Sequence, residues 1–69
     1  MVRYIFSRYH VRASAEHTTL AEAIEDAFRD MESGSAWPLC VEDDGGRVLL
    51  DEGALHDEVD KLRAGRVEA

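Results

Sequence analysis

Thr19-Leu20-Ala21-Glu22-Ala23-Ile24-Glu25-Asp26-Ala27-Phe28-Arg29-Asp30-Met31 is the stretch that decides the fold of this chain. Leu20, Ala23, Ile24, Ala27, Phe28 and Met31 recur at the i, i+3, i+4, i+7, i+8, i+11 spacing of one helical face. Thr19 and Glu22 form a capping box: the hydroxyl takes an otherwise orphaned N–H, and the carboxylate reaches back to the cap backbone. Gly34 supplies a left-handed stop, and Pro38 excludes continuation.

Working outward, residues 2–12 are rich in aromatic and β-branched types and read as one long first strand. Its alternation is imperfect. Val2, Tyr4 and Phe6 share one face and Ile5, Tyr9 and Val11 the other, which asks for cover on both faces or a bulge near Ser7-Arg8. Residues 13–18 read as a polar connection. After the helix, residues 38–42 form a short apolar strand, Asp43-Asp44-Gly45-Gly46 is turn chemistry, and residues 47–50 return as a hairpin. Leu55, Val59 and Leu62 mark a last helix over about residues 53–64, with Gly65 as its stop. The expected fold is α+β in the order β-α-β-β-α. Residues 1–69 make one domain, a three-stranded, antiparallel-containing sheet with the first helix packed on one face.

Size and composition narrow the function. Sixty-nine residues leave no room for a second core. With 45% hydrophobic and 33% charged residues the composition is that of a globular domain, and no apolar run approaches a bilayer span. The lone Cys40 excludes an intramolecular disulfide, and Met1-Val2-Arg3-Tyr4 does not begin a signal peptide. A cytoplasmic location without membrane contact is expected.

Fifteen acids oppose eight Lys and Arg, for a net charge of −7, and fourteen of the acids lie between Glu16 and Asp60. Such a balance favours basic partners. On the first helix Glu22, Asp26 and Asp30 recur every four residues, so they form one ridge with steps of roughly 6 Å. Like charges at that spacing cost a few tenths of a kcal/mol per pair, and Glu25 to Arg29 is the helix's favourable i, i+4 pair. Glu22, Glu25, Asp26 and Asp30, with Glu42, Asp43 and Asp44 of the turn, are therefore the candidate docking residues. The plainer alternative is a solvated helix face on an acidic protein.

The first strand interleaves Arg3, Arg8 and Arg12 with Tyr4, Phe6 and Tyr9, as single-strand-binding sheets do. The overall charge opposes phosphate, so direct nucleic-acid binding is the third reading. His10, His17, His56 and Cys40 show no CxxC or HxxxH pair. His56 and Asp60 stand one turn apart, and Asp43-Asp44-Gly45-Gly46 lacks the alternating oxygens of a calcium loop. No nucleophile elbow, phosphate loop or dinucleotide fingerprint occurs. No catalytic, cofactor-binding or metal residue is expected. Trp37, the sole tryptophan, covers one end of the core or anchors an interface; with Tyr9 and Val11 it forms the candidate self-association set for a homodimer.

Thr19-Leu20-Ala21-Glu22-Ala23-Ile24, Trp37-Pro38-Leu39-Cys40-Val41 and Asp44-Gly45-Gly46-Arg47-Val48-Leu49 together resemble the pattern of small bacterial and phage open reading frames. In size, acidity and compact sheet-plus-helix form the chain is also similar to phage-encoded anti-CRISPR proteins, several of which present carboxylates where DNA phosphates would sit. That resemblance implies a non-enzymatic inhibitor of a basic protein or nucleoprotein complex. Those inhibitors share no motif, so no residue role carries over. The competing expectation is a small host homodimer or accessory subunit whose acids only solubilise it.

Overall fold

Alternating apolar residues at the start of the chain build the centre of a sheet rather than its edge. The computed structural model describes residues 1–67. The elements are β1 (Val2–Arg8), β2 (Val11–His17), α1 (Leu20–Ser33), β3 (Trp37–Asp43), β4 (Val48–Leu50) and α2 (Glu52–Val67). The fold is α+β, with an antiparallel sheet in the order β2-β1-β3-β4.

The sheet has four strands where the sequence pattern suggests three. The stretch expected to be one long strand folds back at Tyr9-His10, whose φ angles are 52° and 64°. Two consecutive positive values describe the tight two-residue turn that matches strand twist, normally built from Asn and Gly. With tyrosine and histidine there, the turn carries no compositional signal. It also accounts for the imperfect alternation, in place of the bulge expected near Ser7-Arg8. The supposed connection over residues 13–18 is mostly β2, which pairs without interruption from Arg8↔Val11 to Val2↔His17.

On the other side of β1, the pairing with β3 shifts register between Ile5 and Phe6. Pro38 lies at that irregularity. β4 pairs with Val41 and Glu42, so Pro38 sits where β3 has no neighbour on its far side and its missing N–H costs no ladder bond.

Tyr4 and Val41 point from β1 and β3 to the same face, where they meet Ala23 and Ala27 of α1 and Leu55 and Val59 of α2. All six are fully enclosed, and Val2, Phe6, Ile24, Phe28, Met31 and Leu50 pack around them. At about 1.5–3 kcal/mol per large apolar side chain, this cluster supplies most of the stabilisation. Both helices therefore cover one face of the sheet. On the opposite face Ile5 is only 5% exposed, and it lines a shallow hollow together with Arg3, Arg12 and Glu42.

The helix ends follow their side chains. Thr19 Oγ1 accepts from the Glu22 N–H at 3.2 Å, and Gly34 closes α1 with φ 72°. Asp51 Oδ1 accepts from the Ala54 N–H at 2.9 Å and starts α2 slightly ahead of the expected position. Gly65 does not stop α2. A glycine ends a helix by going left-handed; Gly65 keeps helical backbone, and Arg63 and Arg66 around it are bonded to α1.

Candidate interaction surface

The strand register sorts charge and aromatic surface to opposite ends of the sheet. At one end Val2 stands between His17 and Asp43, which places Glu16, Glu42, Asp43 and Asp44 together. α1 starts three residues after His17, so Glu22 in its first turn belongs to the same end. At the other end Ser7 stands between Arg12 and Trp37, beside the Tyr9-His10 turn and the α1–β3 connection.

The acidic ridge of α1 is not uniformly turned to solvent. Asp26 and Asp30 lie on the flank that meets the sheet. His17 Nε2 donates to Asp26 Oδ2 at 2.9 Å, and the Tyr4 hydroxyl donates to Asp30 Oδ2 at 2.8 Å. Burial, reinforced by the Asp30 carboxylate, holds the Tyr4 phenol far above its usual range, so it remains a donor. Glu25 is drawn to the opposite flank, where both its oxygens accept from Arg66 Nη2. The Arg66 guanidinium also lies 4.5 Å over the Phe28 ring, closing the seam between the helices. The like-charge spacing along α1 is thus resolved by partners on β1, β2 and α2 that the helix sequence does not reveal.

The turn acids divide similarly. Asp43 Oδ1 accepts from the Gly45 and Arg47 N–H groups, both at 2.9 Å, and so organises the β3–β4 turn. Asp44 is exposed and stands 3.2 Å from the amino group of Met1. Glu42 lies half-buried on the sheet face without helices, in register with Arg3. Glu22, Glu42 and Asp44 are the candidates whose carboxylates are most available to a partner; Glu16 joins them, 3.8 Å from Arg3.

The aromatic end holds an open groove of about 370 Å³ between the β1–β2 turn and the end of α1. Tyr9, 90% exposed, and Trp37, 51% exposed, both line it, with Met31 and Arg8. Arg8 Nε donates to the Ser35 carbonyl at 3.2 Å, tying the turn to the α1–β3 connection. Two of the three expected self-association residues therefore meet in one groove. Val11, 64% exposed, stands across from Arg8 at the sheet edge. Sequence reasoning missed Arg8, Met31 and the connection as groove walls, because only the hidden turn at Tyr9-His10 brings them together.

Tyr4 and Phe6 lie under the helices, which leaves Tyr9 as the aromatic of this stretch that is presented to solvent. His56 Nε2 donates to the Pro38 carbonyl at 2.9 Å, and Asp60, its neighbour one turn on, pairs with Arg63 at 3.0 Å. Among the described residues no three His, Cys, Asp or Glu side chains converge as metal ligands would. Cys40 is partly buried on the face without helices. Desolvation and then Glu42 push its thiol up, against a smaller lowering by Arg12. Among the described residues no helix is long and apolar enough to cross a membrane. Comparison with protein-family models, curated proteins and solved structures finds no match for the chain.

Proposed function

We propose that the protein is a non-enzymatic interaction module whose acidic sheet end docks a basic, nucleic-acid-binding protein and inhibits it by charge competition. The observation that carries this reading is the gathering of acids at one end of the sheet, Glu16, Glu42 and Asp43 by strand register, Asp44 in the adjoining turn and Glu22 in the first turn of α1, on a chain of net charge −7. A cluster of that kind steers a cationic surface into contact and competes with phosphates for it. Asp26 and Asp30 support the surface by fixing α1 to the sheet.

The resemblance to anti-CRISPR proteins makes a nucleic-acid-guided surveillance complex the first target to test. Added to such a complex carrying labelled duplex DNA, the protein is expected to displace the DNA, with association slowing as salt rises from about 50 to about 300 mM. Reversing Glu22, Glu42 and Asp44 to Lys should slow association several-fold, while Asp57→Lys on α2 leaves it near the parent value. Equal loss for acidic-end and control variants means that bulk charge acts without a site. No displacement at tens of micromolar by the parent protein ends the proposal for that target class. The accessory-subunit reading draws its support from the Tyr9 and Trp37 groove, which the acidic end does not use.

A further inference from the structure

β2 is an edge strand without the usual protection. It runs for seven residues without a register break, contains no proline or lysine, and has no neighbour on its outer side. The opposite edge, β4, is three residues long and joins β3 through an irregular register. Long regular edges attract further strands, and short irregular ones do not.

The turn at Tyr9-His10 fixes which main-chain groups of β2 face outward. In a two-residue hairpin the flanking pair Arg8↔Val11 exchanges both of its hydrogen bonds, and pairs then alternate. Val11, Ala13, Ala15 and His17 thus spend their N–H and C=O groups on β1. Those of Arg12, Ser14 and Glu16 point away from the sheet, and among the described residues no other hydrogen bond reaches them.

These three residues form a charge palindrome. In Val11-Arg12-Ala13-Ser14-Ala15-Glu16-His17, inversion about Ser14 exchanges Arg12 with Glu16 and Ala13 with Ala15. We propose that β2 pairs antiparallel with β2 of a second copy of this chain, Ser14 opposite Ser14 on a two-fold axis. Arg12 then stands opposite Glu16 of the other copy twice over, on the sheet face without helices. Both residues are exposed in the single chain, and the shared face follows from their pairing with Ser7 and Arg3 of β1. About six new main-chain hydrogen bonds form at the outward positions, with small side chains at the centre. The result is a continuous eight-stranded sheet with all four helices on one face.

Two further features fit. Val11, 64% exposed in the single chain, comes to lie opposite His17 of the second copy, which covers an apolar side chain that the monomer leaves bare. The α1 flank nearest the axis carries Asp26, whose Oδ2 accepts a hydrogen bond from His17 of the same chain and is held against its own sheet. The self-complementary patch is what a two-fold interface requires. This surface takes Glu16 from the acidic end and leaves Glu22, Glu42 and Asp44, the residues on which the test of the proposed function relies, outside the pairing.

The test exploits the palindrome. In sedimentation at about 100 μM, a concentration suited to a small interface, the parent chain is expected to run at twice 7.7 kDa. Arg12→Glu alone and Glu16→Arg alone each set like charges across the axis twice, and each should run as a monomer. An equimolar mixture of the two variants brings a strand acidic at both positions against a strand basic at both, and should recover the dimer as a heterodimer. Ser14→Pro removes an outward N–H without touching the β1 ladder, so it should abolish dimerisation while circular dichroism stays unchanged; it decides the question if either charge variant fails to fold. A parent chain that stays at 7.7 kDa overturns the proposal, as does a dimer indifferent to all three variants. A mixture that stays monomeric overturns the register.

Discussion

The two hairpins of this sheet are built by opposite means. β3–β4 has a turn that announces itself, Asp43-Asp44-Gly45-Gly46, in which one aspartate oxygen holds two backbone N–H groups and Gly46 takes φ 83°. Its returning strand β4 is only three residues long, and the pairing slips between Val41 and Glu42. β1–β2 has seven uninterrupted pairs closed by Tyr9 and His10 in left-handed conformations that cost each such residue about 1–2 kcal/mol. In one hairpin the turn carries the strands; in the other the strands, held to the helices by Tyr4 and Phe6, carry a strained turn. Turn chemistry and strand packing are thus interchangeable sources of register.

The sharpest way to break this contrast is to remove the packing that sustains the strained turn. Tyr4→Ala empties a fully buried aromatic site and strips Asp30 of its donor, and should cost about 3–5 kcal/mol, a large share of the stability of so small a domain. Thermal melting should lose its cooperative transition, whereas Leu50→Ala, at a half-buried site of the other hairpin, should leave one. A Tyr4→Ala melt within a degree or two of the parent would place the source of the first hairpin's register elsewhere.

A smaller effect isolates the hydroxyl. Tyr4→Phe keeps the ring and should cost about 1–2 kcal/mol by leaving the Asp30 oxygen without its partner. Folding raises the Tyr4 phenol above its ordinary value of 10.0. In the unfolded chain it ionises near that value, while in the folded chain it stays protonated to higher pH. The unfolded state then binds fewer protons, so the contribution of Tyr4 is full below about pH 10 and declines as pH rises beyond it. Denaturant titrations at pH 9 to 11, stepped by about half a unit, should show a steeper alkaline loss for the parent than for Tyr4→Phe. Parallel curves would mean that the hydroxyl ionises alike in both states.

The smallest pair of effects exchanges the two turn strategies. Tyr9→Asn combined with His10→Gly places at the strained turn the residues its backbone favours, and should stabilise by about 1 kcal/mol. Asp43→Ala removes the acceptor of two backbone N–H groups from the other turn and should cost about 1 kcal/mol. Urea midpoints measured at equal slope check both. A gain at Asp43 or a loss at Tyr9-His10 would reverse the comparison.

What could be read from sequence follows the same division. α1 was legible because its apolar spacing, capping box and Gly34 all agree, and the second hairpin because turn residues flank apolar runs. β2 was not. Val11-Arg12-Ala13-Ser14-Ala15-Glu16-His17 offers its apolar side only two alanines and a valine, too weak an alternation to separate strand from connection, and its turn lacks glycine and asparagine. The candidate acidic residues were legible as charges but not as partners. Nothing within α1 tells that Asp30 faces a tyrosine 26 residues away or that Glu25 meets Arg66. Long-range pairing decides whether a carboxylate is a tie or an offered surface, and that information resides in the fold.

Trp37 offers one more consequence. Its indole is the chain's single tryptophan, with a ring centroid 4.5 Å from that of His56 on α2 and an N–H donated to Glu52 at 3.2 Å. Detachment of α2 from β3 would separate the indole from both groups at once and alter its fluorescence while the sheet remained paired. The protein therefore carries an intrinsic optical gauge for the docking of its last helix, able to time a local opening separately from collapse of the whole fold.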